Sequence, residues 1–189
     1  LETGRIASGV PGKLKLDAKI DGKQPAVRLR VEGSTGYVLD LARGAAALSA
    51  LDLKVAGDVP GAAGLDARVQ GDKLDLDPDA RRFDLAGIEL AAKSKDGLDA
   101  RFSVPKLALA PDRAEGKAAS GTVKLARPGQ AVDAKLALSA LEAKGKTIQF
   151  ARFDVDLDAK TGELAVQGKL GTPGTLNLDA SQVLLPGIA

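Results

Sequence analysis

Apolar residues recur at every second position along much of the chain and alternate there with charged or polar residues. In residues 14–20, Leu, Leu, Ala and Ile alternate with Lys, Asp and Lys, and the same period continues in 27–31, 51–55, 132–138 and 155–159. Shorter segments with this period are 74–76, 102–104, 164–166 and 176–180. A period of two residues is that of a β-strand with one buried face. The pattern therefore predicts an all-β protein.

Short turn-forming sequences separate the alternating segments. They are Asp21-Gly22, Gly33-Ser34-Thr35-Gly36, Pro60-Gly61, Asp96-Gly97, Pro128-Gly129, Lys144-Gly145, Thr161-Gly162 and Pro173-Gly174. Glycine and proline in such pairs favour tight turns, so the chain is predicted to fold as a run of antiparallel hairpins. Only residues 45–50 and 139–144 have the composition of a helix, and each is too short for more than one or two turns.

The predicted fold class is thus all-β: antiparallel hairpin repeats that form a long curled sheet or a sandwich with one apolar face, and at most one or two short helices. One strand needs an irregularity. After Phe83 and Leu85, the apolar positions move from odd to even numbers at Ile88 and Leu90. A bulge or bend at Gly87 would keep all four side chains on one face.

The chain contains an internal repeat. Residues 64–69, Gly-Leu-Asp-Ala-Arg-Val, recur 33 residues later as Gly-Leu-Asp-Ala-Arg-Phe in 97–102, and the match continues downstream through equivalent Lys, Leu, Pro and Asp positions. A third, weaker copy is Val-Asp-Ala-Lys-Leu in 132–136. Repeats of this kind arise when one hairpin unit stacks on the next. Residues 1–189 are therefore predicted to form a single repetitive β-rich unit.

Composition restricts the chemistry. Of the 189 residues, 44% are apolar and 28% are charged, as in an average soluble domain, while aromatic residues make up only 3% and His, Cys, Met and Trp are absent. Without His or Cys there is no imidazole base, no thiolate nucleophile and no conventional zinc site. No Gly-x-Ser-x-Gly, Ser-x-x-Lys or Gly-x-Gly-x-x-Gly motif occurs. We predict a protein that is not an enzyme and has no cofactor. Because Met is missing even at position 1, we expect a piece of a longer protein.

Charge is balanced along the chain. The 27 Lys and Arg and 25 Asp and Glu leave a net charge of +2, and the two signs alternate, as in residues 13–21. Nucleic-acid binding rests on clustered cations, so no nucleic-acid partner is predicted. Asp154, Asp156 and Asp158 are expected on a solvated strand face. The longest nearly uncharged apolar stretch, 44–51, is far shorter than the roughly 20 residues of a membrane span, so membrane contact is expected only through segments absent from this chain.

Two segments approach ligand-binding motifs but lack defining residues. Residues 75–79, Asp-Leu-Asp-Pro-Asp, have the carboxylate spacing of a calcium loop, yet Ala80 stands at the glycine position and Ala86 at that of the final glutamate. We interpret them as a strand end followed by a turn. Residues 140–147 approach a P-loop, but Ala140 replaces the first glycine and a strand is predicted to follow. No metal site and no phosphate site is predicted.

The covering of the apolar face decides the function. An antiparallel sheet must cover an apolar face with a second sheet, with helices or with an apolar ligand. A closed sandwich would be a structural module, and the pattern alone favours it; a long curled sheet with an open concave face could instead hold acyl chains. The residues expected to line the apolar face, and a lipid groove if the face is open, are Leu51, Leu53, Val55, Leu65, Leu74, Leu76, Leu85, Ile88, Leu90, Leu98, Phe102, Leu107, Leu109, Val155 and Leu157.

Three segments resemble the repeated hairpins of the AsmA family of Gram-negative envelope proteins. They are Phe-Asp-Leu-Ala-Gly-Ile-Glu-Leu-Ala-Ala in 83–92, Asp-Gly-Leu-Asp-Ala in 96–100 and Phe-Asp-Val-Asp-Leu in 153–157. The resemblance implies an inner-membrane anchor, a β-rich periplasmic body, a role in outer-membrane assembly and an apolar groove proposed to conduct phospholipid. It would make this chain a non-enzymatic interior segment in the periplasm, with phospholipid or another acyl-chain ligand as its partner. It brings no catalytic residues.

The alternative function is that of a structural or adhesive module of a surface protein, built as a closed β-sandwich. A carbohydrate-binding sandwich is a third option. The chain has one Tyr and no Trp, which disfavours that option because sugar rings usually stack on aromatic side chains.

Overall fold

The computed structural model describes residues 2–3, 7–111, 113–144, 147–177 and 182–184. Fourteen β-strands occur in this part of the chain, all in one antiparallel sheet. They are β1 (Glu2–Thr3), β2 (Gly12–Lys23), β3 (Ala26–Asp40), β4 (Ala45–Val59), β5 (Ala62–Asp77), β6 (Arg82–Lys93), β7 (Leu98–Ala110), β8 (Arg113–Gly116), β9 (Ala119–Arg127), β10 (Gln130–Leu138), β11 (Leu141–Lys144), β12 (Thr147–Thr161), β13 (Leu164–Asn177) and β14 (Gln182–Leu184). The described residues contain no helix, and the predicted all-β fold is confirmed.

β8 and β9 together form one longer strand with a short interruption, and β10 and β11 form another. β8 and β9 both pair with β7, and the register continues unchanged across residues 117–118. β10 and β11 pair with β12 in the same way across residues 139–140. The two interrupted strands also pair with each other, β9 with β10 and β8 with β11. The sheet is therefore a meander, in which each strand lies beside its neighbours in sequence.

The 33-residue repeat corresponds to one hairpin of this meander. Its copies begin in β5, β7 and β10, which are alternate strand positions of the sheet. Leu98 of the second copy and Val132 of the third both pair with Leu125 of β9, from opposite sides. Equivalent residues of successive copies therefore lie in one row across the sheet.

The sheet is a single layer. All strand pairs in extensive contact within the described residues are hydrogen-bonded neighbours, so no second sheet stacks on the first. Among the residues whose side chains the structure describes, the buried apolar ones are Tyr37, Ala62, Ala100 and Ala114, and none is fully enclosed. The chain exposes 12245 Å², whereas a compact protein of 19.3 kDa exposes about 8,500 Å². Of the two architectures that the sequence leaves open, the described residues form the single sheet.

Several turns lie where the sequence predicts them. Those at Pro60-Gly61, Asp96-Gly97, Pro128-Gly129 and Gly162 are confirmed. The turn interpreted to follow the strand end at 75–79 occupies residues 78–81, and two further turns that the sequence did not indicate occupy residues 24–25 and 41–44. Of the pair Lys144-Gly145, Lys144 ends β11 and Gly145 lies outside the described residues.

Three predicted turns are wrong. Asp21-Gly22 lies inside β2, Gly33–Gly36 inside β3 and Pro173-Gly174 inside β13. The chain turns after Asp21-Gly22, at residues 24–25. At Gly33 and Gly174 the physical reason is cross-strand space. A Cβ on Gly33 would collide with Leu53, and a Cβ on Gly174 with the ring of Phe150. These glycines make room for large neighbours within the sheet instead of turning the chain.

The two candidate helical segments are also strands. Residues 45–50 belong to β4, where Ala46 pairs with Leu39 of β3 and Leu76 of β5. In the second segment, residues 141–144 form β11 and residues 139–140 precede it. In both segments, pairing with strands on either side outweighs the helix preference of alanine, glutamate and lysine.

An irregular line crosses the sheet at one height, and we call it the crease. At its two ends one strand carries an extra residue: Ala50 and Leu51 together face Thr35, and 151–152 together face Pro173. Between these ends, neighbouring strands carry the extra residue at matching positions, so the register does not shift at this height. The crease consists of Ala50, Asp72, Gly87, Pro105, Ala118, Ser139 and Arg152. The irregularity predicted at Gly87 is confirmed by its φ of 62° and belongs to this longer line.

The apolar residues stay on one face across the crease. In β4 they change from even to odd numbers, at Leu48 and then Leu51 and Leu53. β3 has no extra residue and so keeps a constant alternation. Its Gly33 pairs with Leu53 and its Tyr37 pairs with Leu48, so Leu48 and Leu53 lie on the same face. The sequence thus compensates for the extra residue.

The extra residues face the charged side of the sheet. Ser49 and Ala50 are consecutive and exposed, between the half-buried Leu48 and Leu51. Two successive outward residues lengthen the charged face, so the strands bend toward the apolar face. The crease divides the sheet into a short panel, which contains Leu48 and the turns at 41–44 and 78–81, and a long panel on the other side. The apolar face lies on the concave side.

Candidate functional site

The candidate site is the uncovered apolar face. Cross-strand partners lie on the same face, so the pairing registers define rows of side chains that run across the sheet. One row of the long panel consists of Leu16, Gly33, Leu53, Val69, Leu90, Phe102, Gly121, Leu136, Val155 and Leu170. Every member is apolar or glycine. Ten strands at the usual spacing give this row a length of about 43 Å.

All fifteen residues that the sequence analysis assigns to the apolar face lie on this face. In the short panel are Leu74, Leu76, Leu85, Leu107 and Leu109. In the long panel are Leu51, Leu53, Val55, Leu65, Ile88, Leu90, Leu98, Phe102, Val155 and Leu157. Thirteen of the fifteen are half-buried, and Leu76 and Phe102 are 44% and 37% exposed.

The face also includes residues that the sequence analysis did not single out. Leu16, Val31, Leu136 and Leu170 complete its rows in β2, β3, β10 and β13. Their alternation is visible in the sequence, but only strand pairing aligns them with the others. On β13, Leu164, Val166 and Leu170 are exposed, with Leu164 at 66%. The apolar surface therefore continues to this edge of the sheet.

Glycines keep the face smooth. A Cβ on Gly121 would lie 2.5 Å from Cδ1 of Phe102, and a Cβ on Gly71 would lie 2.6 Å from Cδ1 of Ile88. The large side chains therefore lie over the glycine of the neighbouring strand. The same arrangement joins Gly12 with Tyr37, Gly116 with Leu141 and Gly174 with Phe150. Aromatic side chains that cover strand glycines help to fix the register of a sheet.

The opposite face is charged and solvated. Arg68 donates two hydrogen bonds of 2.7 Å to the carboxylate of Asp52 on the adjacent strand. These bonds hold the pKa of Asp52 below its usual value and raise the pKa of Arg68. Further pairs between strands are Lys124 with Asp133 at 3.2 Å and Lys169 with Asp156 at 3.1 Å. The charges alternate in sign, so this face carries no large field of one sign.

The calcium-like segment 75–79 ends a strand and begins a turn. Asp77 accepts a 3.0 Å hydrogen bond from the amide of Ala80 and pairs with Arg43 at 2.7 Å. Its carboxylate therefore closes the β5–β6 turn and links it to the β3–β4 turn. Nowhere in the described ranges do three or more His, Cys, Asp or Glu side chains group as metal ligands.

The P-loop-like segment lies in a strand. Leu141–Lys144 forms β11, while Gly145 and Lys146 lie outside the described residues. An open cleft of about 580 Å³ lies beside it, at the β13 end of the crease, lined by Ser139, Ala140, Glu142, Gln149, Phe150, Ala151, Pro173, Gly174 and Thr175. The lining mixes polar and apolar groups from both faces and has no cluster of catalytic side chains.

Arg127 connects three strand ends at the far edge of the long panel. Its Nε donates to the carbonyl of Asp96 at 2.9 Å, its guanidinium pairs with the Asp96 carboxylate at 2.7 Å, and it also donates to the carbonyl of Gly61. The hydroxyl of Ser94 and then Arg127 lower the pKa of Asp96. The three hairpin ends are thereby held side by side.

Replacing Arg127 by methionine is expected to lower the free energy of unfolding by about 1 kcal/mol, because the charged hydrogen bonds are lost while the aliphatic stem is kept. Urea denaturation followed by circular dichroism would measure the change. Lys124→Met is the matched control on the same strand, since its pair with Asp133 is exposed and should contribute at most about 0.5 kcal/mol. Equal losses in the two variants would show that Arg127 is only another surface charge.

Comparison with known proteins gives no relative. No protein-family model, no curated protein and no solved structure matches the chain. Among the described residues there is no helix that could cross a membrane.

Proposed function

We propose that this chain is a non-enzymatic AsmA-like segment whose apolar sheet face binds the acyl chains of phospholipids. The observation that carries the proposal is the face itself, which is apolar in every strand from β2 to β13 and has no covering layer within the described residues. An exposed apolar surface needs an apolar partner. Phospholipid is the partner that the resemblance to the AsmA family suggests.

The size of the face supports a lipid ligand. It extends about 43 Å across the strands and about 35 Å along them, which gives an area on the order of 1,500 Å². The largest apolar patch on a typical monomeric protein covers only about 300 to 600 Å². A face of this size could shield whole acyl chains from water.

The chemistry of the face favours acyl chains over a protein partner. Protein interfaces are enriched in aromatic residues, Met and Arg. This face is built mainly from Leu, Val, Ile, Ala and Gly. It also carries the five aromatic side chains of the chain, and three of them, Tyr37, Phe102 and Phe150, lie over glycines of the neighbouring strand. A smooth aliphatic surface suits chains that have no shape of their own to recognise. Polar groups on the opposite face would keep the protein soluble while lipid is bound.

The cellular role follows the same proposal. As an interior periplasmic segment of a longer protein anchored in the inner membrane, the chain would contribute one part of a lipid-conducting groove for outer-membrane assembly. The part of β13 where Leu164 and Val166 are exposed would let lipid pass beyond this segment.

To test the proposal, the chain is purified without detergent. The phospholipid bound to it is then measured by solvent extraction and mass spectrometry. Leu90→Asp is expected to reduce bound phospholipid at least about fivefold, because it places a charge in the middle of the apolar face. Leu90 is half-buried between Val69 and Phe102. Ala91→Asp is the matched control, since the adjacent residue is exposed on the charged face, and it should leave bound lipid unchanged.

Circular dichroism of both variants shows whether a loss of bound lipid results from unfolding of the protein. Phospholipid no higher than in a sandwich protein of similar size from the same host would contradict the proposal and favour the structural or adhesive module. An equal loss in both variants would show that the apolar face is not the site.

A further inference from the structure

The crease interrupts the hydrogen-bonded ladder of the sheet along a single line. Ala50 and Asp72 are not paired, although the residues before and after them are. Gly87 and Pro105 are likewise unpaired between paired neighbours. The gap covers two positions between β5 and β6, at Gly71 and Asp72, and three positions between β7 and the β8–β9 strand, at residues 104–106. The interruption therefore continues from strand to strand without an offset. Single backbone hydrogen bonds still cross it, from the amide of Lys117 to the carbonyl of Lys106 at 3.0 Å and from the amide of Ser139 to the carbonyl of Arg152 at 2.8 Å.

The backbone at these positions explains the interruption. Ala50 has a φ of 49° and Gly87 a φ of 62°, both in the left-handed region that cannot continue a strand. A Cβ on Gly87 would also collide with the carboxylate of Asp72. Pro105 has no N–H to give to a ladder. Backbone conformation thus prevents regular pairing at Ala50 in β4 and at Gly87 in β6, and the missing donor prevents it at Pro105 in β7.

The two panels beside the crease are regular. In the long panel, β5 and β6 pair continuously from Asp66 to Gln70, and in the short panel from Lys73 to Asp77. Ladder hydrogen bonds and the pleat resist bending of a sheet, so bending requires least energy where they are interrupted. No second layer packs across the crease within the described strands to oppose such bending.

We infer that the crease is a hinge, about which the short and long panels rotate and so change the curvature of the apolar face. Side-chain contacts hold the ends of the hinge. The Thr35 hydroxyl lies 3.0 Å from the carbonyl oxygens of both Gly36 and Ser49 and shares its one proton between them, and the Ser139 hydroxyl accepts a 2.9 Å hydrogen bond from the amide of Arg152. What the rotation does to a bound lipid rests on the proposed function; the rotation itself does not.

Pulsed electron paramagnetic resonance on pairs of spin labels tests the hinge. The chain has no Cys, so cysteine pairs can be introduced and labelled without removing native thiols. Two pairs span the crease on the charged face, Arg82 with Ala91 in β6, and Arg113 in β8 with Lys124 in β9. The control pair, Arg28 with Ser34, lies in β3 within the long panel.

Without lipid, both spanning pairs are expected to give distance distributions about twice as broad as the control. Widths equal to the control would overturn the hinge and make the crease a fixed bend. One broad and one narrow pair would also overturn it, since a hinge that crosses the sheet must move both. Circular dichroism of the labelled proteins confirms the fold.

Vesicles of phosphatidylethanolamine and phosphatidylglycerol provide the second arm of the experiment. If lipid binds and the panels close on it, the spanning distances should narrow and their mean should shift from the lipid-free value, while the control stays fixed. Broad distances in a protein that binds no lipid would support the hinge and contradict the proposed function. Bound lipid with uniformly narrow distances would support the function and contradict the hinge.

Discussion

Gly97→Ala is expected to lower the free energy of unfolding by about 3 kcal/mol, the largest effect of any single methyl group that we predict for this sheet. Gly97 ends the β6–β7 turn with a φ of 93°. About 1 kcal/mol of the loss comes from the strain of alanine at positive φ. The remainder comes from collision, because the new Cβ would overlap the carbonyl of Ala126.

The collision cannot be relieved cheaply. The atom that the new Cβ meets belongs to the backbone of β9, and the amide of Ala126 donates a 3.0 Å hydrogen bond to the carbonyl of Gly97. Moving the turn away from β9 would break this bond and loosen the contacts of the neighbouring Arg127 with Asp96.

Gly129→Ala separates the cost of backbone strain from the cost of the collision. Gly129 lies in the β9–β10 turn with a φ of 75°, and a Cβ there would meet nothing within 4 Å. Its substitution should therefore cost only the strain, about 1 kcal/mol. Urea denaturation of both variants measures the difference. Similar losses at Gly97 and Gly129 would mean that the turn does not dock on β9 as described.

The strands themselves could be predicted because alternation is a local property. Leu51, Leu53 and Val55 alternate with charged residues in the sequence, and they face one side of β4 in the structure. Glycine was the main source of error. Gly61 and Gly97 lie in turns, but Gly33 and Gly174 lie in strands below Leu53 and Phe150. The two kinds differ only in what stands on the neighbouring strand, which one sequence segment does not contain.

The crease shows a similar limit. At Gly87 the change of alternation lies within one uninterrupted segment, so the sequence reveals it. At Asp72 and Pro105 the same change looks like the end of one short strand and the start of another. Only the pairing of β5, β6 and β7 shows that the three irregularities are one line.

The choice between an open sheet and a closed sandwich could not be made from alternation. Both architectures need one apolar and one polar face on each strand. The difference depends on whether successive hairpins continue one sheet or fold back on it. Here Leu90 pairs with Val69 on one side and with Phe102 on the other, and the row continues without folding back. The lining residues could thus be assigned to a face, while the openness of that face required the structure.

Gly121→Val is the second large effect that we expect, a loss of about 2 kcal/mol in the free energy of unfolding. The Cβ of valine would lie 2.5 Å from Cδ1 and 2.6 Å from Cε1 of Phe102. Valine normally favours a strand, so a loss here would show that the ring needs the space above the glycine. Thermal and urea denaturation would both measure it.

Gly168→Val is the matched control, because Gly168 lies on the same apolar face in β13, paired with Leu157, and has nothing within 4 Å of a new Cβ. It should be neutral or stabilising by up to about 0.5 kcal/mol. The double variant Phe102→Ala with Gly121→Val tests whether the Phe102 ring causes the loss of stability. If the ring and the new side chain compete for one space, the valine should cost much less once the ring is gone, and the two effects will not add. Additive losses would mean that Phe102 does not lie over Gly121, and the smooth face that an acyl chain would slide on would lose its structural basis.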